Sequence, residues 1–516
     1  MARAKRVFRN LYRDSVSLMQ LSAKLGALGG VRQASAIMAT PGNLDLLREA
    51  GLAPGDVAAG PNDLLVALEG EHEDALDAAL AATEAELTRL AARPQDGPRR
   101  TPPRSLEMAL QGAASANLAL ISTPGDYAAA EAMKALRLGL NVMLFSDNVS
   151  LDDEIALKRY ARSHELLVMG PDCGTAIIGG VPLGFANVVR RGEIGAIAAS
   201  GTGLQQVTCL IDRWGQGISQ AIGTGGHDLR AEVGGITMLQ GLEALATDPA
   251  TRVIVMISKP PHPTVAERVL SAASVAGKPI VVNFLGANPD TLRRENVHPV
   301  RTLEDAARLA VVLAGGADAE AGAARTKGTP EVGLAPGQRY IRGLYSGGTF
   351  CYEALLLLTE GFGPIASNTP LERELMLADV RRSQRHTVVD LGDDAFTLGR
   401  PHPMIDQTLR RERILQEAAD PEVAVILFDV VLGYGAHPDP ASELAVTLEE
   451  TRALARAAGR GLALVGSVCG TAGDPQDLPR QEASLRDAGV LLADSNAQAV
   501  RLAARIAARQ TSEPGR

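Results

Sequence analysis

This sequence predicts a multidomain α/β fold, with helix-covered parallel sheets and a small α/β module in front of them. Three observations carry that prediction. Short apolar runs rich in Ala, Val and Ile alternate with helical patterns along most of the chain, as expected of strands buried on both faces. Aromatic residues make up only 3% of the chain, with one Trp, so the cores must be aliphatic. The 516 residues exceed what one hydrophobic core supports, which implies roughly three or four domains.

The first unit spans residues 1–92. VRQASAIMA (Val31 to Ala39) and DLLVALEG (Asp63 to Gly70) read as strands; SVSLMQLSAKL (Ser15 to Leu25) and HEDALDAALAATEAELTRL (His72 to Leu90) read as helices. A ferredoxin-like or regulatory ligand-binding module fits that pattern, and it holds no catalytic cluster. Arg93 to Arg104 (RPQDGPRRTPPR) then reads as a linker, as does Gly315 to Gln338, which is small, polar and without periodicity.

Between the linkers, strand, turn and helix repeat. ANLALIST precedes a helix beginning near Asp126, and NVMLFSD follows it. ELLVMGPDCGT, IGAIAASGTG, ISQAIGTGG, TRVIVMISKPP and KPIVVNFLG are further apolar runs ending in small or turn residues. Alternation with helices implies right-handed crossovers and an open parallel sheet. The C-terminal block repeats the scheme in RYIRGLYSGGT, HTVVDLGDD, VAVILFDVVLGYG, LALVGSVCGT and VLLADSN. Asp248-Pro249 and Asp420-Pro421 each lead into a buried strand, a short echo that suggests two related flavodoxin-like domains. The expected domains are therefore 1–92, 105–185, 186–314 and 338–510.

Composition excludes several classes of function. With 46% hydrophobic and 22% charged residues the chain is ordinary globular material. The net charge of −9, without a basic stripe, argues against a nucleic-acid surface. The basic start, MARAKRVFRN, is followed by neither an apolar core nor a cleavage site, so it is not a secretory signal. No apolar run approaches the roughly 18 residues that span a bilayer. The four cysteines (Cys173, Cys209, Cys351, Cys469) lack C-x-x-C spacing, which favours reduced thiols in the cytoplasm over zinc or disulfides.

In open parallel sheets ligands bind outside the carboxyl ends of the strands. Ser200-Gly201-Thr202-Gly203 would sit there between a strand and a helix, with close-approaching backbone, hydroxyl donors and unpaired helix N–H groups. Ser346-Gly347-Gly348-Thr349 follows the same logic, as does Gly470-Thr471 after Cys469. Gly223-Thr224-Gly225-Gly226-His227-Asp228 is a longer loop ending in an ionisable pair. Each turn taken singly is most simply a structural α/β turn; their number shifts the balance toward a phosphate or carboxylate site. None matches G-x-x-x-x-G-K-[ST], so an ATP-binding P-loop is not supported.

His227 is the candidate for proton transfer or anion contact. An equally good alternative is a capping turn in which Asp228 holds the next helix. His298, His402 and His437 each precede proline and read as loop residues, and no spacing predicts a metal site. Cys173 in GPDCGT has no visible base, so a packed small residue is the simpler reading than a nucleophile. Cys351 and Cys469 share that reading. Asp390, with Asp393 and Asp394, could hold magnesium, although a solvated acidic turn is the plainer reading.

Taken in order, these motifs resemble the succinyl-CoA synthetase and NDP-forming acyl-CoA synthetase superfamily. Gly170-Pro171-Asp172-Cys173 resembles its G-P-N-C turn, Ser200-Gly201-Thr202 its S-G-T helix start, and Gly225-Gly226-His227-Asp228 its G-G-D-P loop. DPATRVIVMISKPP resembles the strand that follows. Residues of about 105 to 312 resemble the α subunit, with a Rossmann-like CoA-binding-type domain over 105–185; about 338 to 508, with DLGDDA and DPEVAVILFDVVLGYG, resemble the β-subunit ligase domain. The whole arrangement resembles the FdrA family. The expected substrate contacts are Asp172, Cys173, Gly174, Thr175, Cys469, Gly470 and Thr471, and Thr224, Gly225 and Gly226 are expected anion contacts.

The departures from that pattern bear on function. No glycine loop for CoA precedes residue 105, no G-H-A-G phosphohistidine loop follows KPIVVNFLG, and no ATP-grasp region is present. What the resemblance implies is therefore a carbamoyltransferase subunit of allantoin or purine catabolism, interconverting oxamate plus carbamoyl phosphate with oxalurate plus phosphate. It would need no cofactor and would act with further operon-encoded subunits in a hetero-oligomer. Ser200–Gly203 and Gly223–Gly226 would hold phosphate and oxyanion, with His227 managing the proton. Two alternatives stay open: an acid–thiol ligase that uses CoA and a partner ATP-grasp chain, and a non-catalytic anion-binding regulatory or scaffold subunit.

Overall fold

The computed structural model describes residues 2–52, 57–91, 103–318, 330–398 and 400–511. Most of the first expected linker, and residues 319–329 of the second, lie outside the described residues. The chain divides into two compact units. The first comprises residues 1–172 and 394–406, the second 173–393 and 407–516.

The first unit begins with β1 (Ala2–Phe8), β2 (Val31–Met38) and β3 (Leu64–Gly70), an antiparallel sheet in the order β1-β3-β2. The two-residue period of β3 builds a core on each face. Leu64, Val66 and Leu68 pack against Leu18, Leu21 and Leu25 of the helix Ser15–Gly26 and Leu76 and Leu80 of the helix Glu73–Ala91. Leu65 and Ala67 meet Leu44 and Leu47 of the helix Pro41–Glu49 on the other face. Next come β4 (Leu118–Ile121), β5 (Asn141–Leu144) and β6 (Val168–Met169), a parallel sheet in chain order. The helices Gly125–Arg137 and Leu151–Ser163 cover it, each placed where alanine and leucine recur on one face.

The second unit holds two larger sheets. β7 (Thr175–Ile178), β8 (Val181–Gly184), β9 (Arg191–Ala198), β10 (Ile218–Gly223), β11 (Val253–Ser258), β12 (Ile280–Phe284) and β13 (Val297–Pro299) form one of seven strands, ordered β13-β12-β11-β9-β10-β7-β8. β14 (Tyr340–Tyr345), β15 (Thr387–Asp390), β16 (Val423–Val431), β17 (Ala463–Cys469) and β18 (Leu491–Ala493) form a fully parallel sheet of five, ordered β15-β14-β16-β17-β18. β9 to β13 and β14 to β18 share one strand order: in each, the second strand lies outside the first and the third lies inside it. That is the flavodoxin-like doubly wound order, with its switch point between first and third strands. The short sequence echo thus reflects two domains of like topology.

One expectation needs correction. The larger sheet is not wholly parallel, because β7 and β8 form an antiparallel hairpin added beyond β10. Gly179 and Gly180, both at positive φ (61° and 85°), make its two-residue turn. Both central positions of such a turn need the left-handed region, where glycine carries no steric penalty. The hairpin pairs with β10, so residues 173–184 belong to this sheet rather than to the domain expected over 105–185.

Candidate functional site

Both switch points of the second unit end in glycine-rich turns that start helices. After β9, Ser200 caps the helix Gly201–Arg213: its Oγ accepts from Gly203 N at 3.0 Å. After β14, Ser346 and Gly347 lead into the helix Gly348–Phe362. The two turns meet. Ser200 Oγ and Thr349 Oγ1 share a hydrogen bond of 2.6 Å, and a Cβ on Gly347 would lie 3.0 Å from Thr202 Cγ2. Thr175 joins them from β7, its Oγ1 3.4 Å from where a Cβ on Gly201 would stand. Two helix N-termini, each equivalent to roughly half a positive charge, therefore converge.

The supports of the second turn were not legible in the sequence. Asp429, in the middle of β16 and fully buried, accepts from Ser346 N at 2.8 Å, Ser346 Oγ at 2.8 Å and Gly347 N at 3.0 Å. Behind it stands Arg410, itself buried, whose Nη2 lies 3.3 Å from Asp429 Oδ1 and whose Nη1 donates to the Asp429 carbonyl. The Ser346 hydroxyl is bound to Asp429 and so helps anchor the turn. Thr349 keeps the hydroxyl that meets Ser200.

Charge enters from the neighbouring strand ends. Lys259 directly follows β11, and Asp390 ends β15. A Cβ on Gly348 would lie 2.5 Å from Asp390 Oδ2 and 3.7 Å from Lys259 Nζ, so the two charges flank one point at the start of the second helix. Lys259 Nζ also stands 5.8 Å from the ring centroid of Tyr352. Asn368 fixes the Asp390 backbone with a reciprocal pair of 2.9 Å bonds, and Gly392 N donates to Oδ1 at 2.9 Å. Burial pushes the Asp390 carboxyl up to about 7, against the pull of Lys259 and the Gly392 N–H. Burial also raises the Cys351 thiol well above its usual range, which accords with a packed, protonated thiol.

The remaining predicted residues divide: Cys173 and the start of the loop at Gly223 lie against Thr175, whereas others serve nearby helices and loops. Asp228 is the helix cap: its fully buried carboxylate accepts from Thr237 N at 3.1 Å and Met238 N at 2.9 Å, at the start of the helix Ile236–Thr247. Both oxygens serve that helix, which matches the capping alternative for Asp228. His227 is half-buried in the same loop after β10, and its carbonyl accepts from Arg230 N. Asp390 and Lys259 are ionisable groups that stand at the start of the second helix. Thr224 is buried with its hydroxyl on the Gly225 carbonyl, Gly225 takes positive φ, and Gly226 is exposed.

Asp172 is exposed in the first unit, its N–H on Ser146 O. Cys173 and Gly174 open the second unit, where Cys173 Sγ lies 2.5 Å from the place of a Gly223 Cβ. Cys469, Gly470 and Thr471 are held by packing and by hydrogen bonds within the second unit. Cys469 Sγ is 4.0 Å from Cys209 Sγ, and both thiols are buried. A Cβ on Gly470 would strike Leu432. Thr471 donates to Val188 O at 2.5 Å, and its N–H donates to Asp474 at 2.8 Å, a carboxylate that also receives Asn187 and Val188. Among the described residues no three His, Cys, Asp or Glu side chains gather to hold a metal, so the magnesium reading of Asp390, Asp393 and Asp394 gains no support. Nor is any described helix long and apolar enough to cross a membrane.

Comparison with known proteins places this geometry in context. Residues 344–506 match the CoA-ligase family, and residues 1–102 match the AllF, heavy metal-associated domain. The YahF protein of Escherichia coli (strain K12) is 44% identical over 493 residues, covering 94% of this chain and 95% of YahF. The α subunit of the ADP-forming succinate–CoA ligase of Aquifex aeolicus (strain VF5) is 29% identical over 153 residues, 28% of this chain and 48% of that subunit. SauD, a subunit of the ADP-forming sulfoacetate–CoA ligase of Bilophila wadsworthia (strain 3_1_6), is 28% identical over 180 residues, 33% of this chain and 59% of SauD. The chain thus spans only about half the length of these ligase subunits. The heavy-metal designation does not fit the residues present: positions 1–102 contain no cysteine and a single histidine, His72.

Proposed function

We infer that this chain, which belongs to the family of YahF from Escherichia coli (strain K12), is a phosphate- and acyl-phosphate-handling subunit of an acyl-transferring enzyme built on a CoA-ligase-like scaffold. The observation that carries the inference is the 2.6 Å contact between Ser200 Oγ and Thr349 Oγ1, which brings two helix N-termini together. Positive helix ends repel each other, and Lys259 adds a full charge of the same sign. A tetrahedral anion between them would relieve that repulsion and accept from N–H groups no helix bond uses. The same donors would stabilise the oxyanion formed when an acyl carbon is attacked.

Two finer reactions use such a site. In an acid–thiol ligase an acyl phosphate is passed to CoA, and a partner chain supplies the nucleotide-binding part; the CoA-ligase match over 344–506 and the succinate– and sulfoacetate–CoA ligase relatives support this reading. In the second, FdrA-type, reading the acyl group is carbamoyl, exchanged between phosphate and oxamate within a hetero-oligomer. The loop after β12 supports it: Leu285 to Asn288 leads straight into the short helix Pro289–Leu292 and contains no histidine to relay a phosphoryl group.

The test is to purify the chain with the products of its neighbouring genes and supply each reaction in turn. CoA-dependent ADP formation with an acid substrate supports the ligase. Phosphorolysis of oxalurate to carbamoyl phosphate without nucleotide supports the carbamoyltransferase. Failure of inorganic phosphate to bind the chain at millimolar concentration would overturn both.

A further inference from the structure

Asp390 is out of place in a site built only to attract negative charge. It stands where two helix N-termini and Lys259 gather positive potential, yet its Oδ2 turns toward Gly348, the first residue of the second helix. A carboxylate there repels a fully ionised anion. Among the described residues no donor hydrogen-bonds Oδ2, whereas Oδ1 is satisfied by Gly392 N. The side chain is over nine-tenths buried, its backbone is held on both sides by Asn368, and Gly348 has no Cβ to displace it. An acceptor on a largely buried carboxylate that no protein donor meets is open to a ligand that brings a donor of its own.

We propose that Asp390 makes this site selective for a tetrahedral oxyanion that carries its own proton, hydrogen phosphate above all, over one that carries none, such as sulfate. The ligand's P–OH donates to Asp390 Oδ2, while its charged oxygens take the helix N–H groups, the Thr349 hydroxyl and Lys259. Sulfate at neutral pH has no proton to donate, so it meets the carboxylate as a bare charge. The inference rests on the anion site argued above and adds its specificity.

The groups around Asp390 set the sign of the pH effect. Lys259 favours the carboxylate, Asp393 and Asp429 oppose it, and the Cys351 thiol stays protonated. With the Asp390 carboxyl raised to about 7, it becomes a donor as pH falls below that value. Sulfate should then bind at low pH and lose affinity as pH rises through about 7, whereas phosphate can present or accept a proton on either side.

The experiment is calorimetric titration of the full chain with inorganic phosphate and with sodium sulfate, at about pH 6 and about pH 8, for wild type and Asp390→Asn. A single charge-assisted hydrogen bond implies about tenfold or greater preference for phosphate in the wild type at the higher pH. Sulfate affinity should rise at the lower pH. Asp390→Asn, neutral and able to donate, should bind both anions alike with no pH dependence for sulfate, its fold checked by circular dichroism. Equal binding of the two anions by wild type at the higher pH, or an unchanged ratio in the variant, would overturn the role of Asp390 while leaving the anion site standing. Binding of neither anion by either protein would instead sink the site itself, and the proposal with it.

Discussion

Replacing Asp429 with alanine should damage the second unit more than its size suggests, because one carboxylate serves three donors and a buried cation. Ser346 N, Ser346 Oγ and Gly347 N would lose their acceptor, and Arg410, 1% exposed, would lose its counter-charge. Breaking a buried ion pair from one side costs about 3–5 kcal/mol, and each stranded buried donor adds about 1–3 kcal/mol, with strong overlap between the two. The expected loss is about 5 kcal/mol. Ser346→Ala, which leaves Gly347 N bound to Asp429, should lose only about 1 kcal/mol. Because the chain has two units, the measurement should be local: native-state hydrogen exchange of the β14 and β16 amides at increasing urea. Exchange free energies for these strands that fall by less than about 1 kcal/mol in Asp429→Ala would refute the view that this carboxylate holds the turn.

Three further expectations follow from the same geometry. Ser200→Ala removes both the cap on Gly203 N and the partner of Thr349, so it should cost about 1–2 kcal/mol in thermal unfolding and weaken phosphate binding. Gly223→Ala places a Cβ 2.5 Å from both Cys173 Sγ and the Thr175 carbonyl oxygen, whereas Gly361→Ala, in the helix Gly348–Phe362, meets nothing within 4 Å. Chemical denaturation should show the first destabilised by more than about 2 kcal/mol and the second unchanged or gaining up to about 1 kcal/mol. Glu353, raised by burial to about 7, holds its proton more tightly folded than unfolded, so its contribution is full below its unfolded value of 4.5 and is lost as pH rises through about 7. His386, lowered by burial and by Arg342 and Arg339 to about 4, acts oppositely: its contribution is present above 6.5 and is lost as pH falls through about 4. Glu353→Gln should therefore flatten the decline of stability between about pH 5 and pH 8, and an unchanged slope would count against the assignment.

Much of the architecture could be read from local pattern. Strands such as VIVMIS and ILFDVV announce themselves by uninterrupted aliphatic character, because a strand buried on both faces needs apolar side chains at every position. The hairpin at Gly179-Gly180 interrupts the parallel scheme, and its glycine pair between apolar runs carries the signal of a tight turn. Lys259 had a signal too: it is a charged residue directly after a strand, at the end where open α/β sheets bind ligands. Asp429 had little, since an acid in the middle of an apolar strand is as readily a structural ion pair as a support for a distant turn.

The glycine-rich turns at Ser200 and Ser346 are determined by the sequence alone, as is the start of a helix at each: small residues and hydroxyls at a strand end set that locally. Tertiary structure alone decided that these two turns, 149 residues apart at Ser200 and Thr349, touch, while the loop at Gly225 serves its own helix and Thr471 is buried in packing. It also decided which ionisable group matters. The protonation of Asp390 depends on burial and on Lys259 from another sheet, and neither is encoded in the residues beside it. Helix caps and turns are set by neighbours in sequence; a site is set by which strand ends the sheet order brings together.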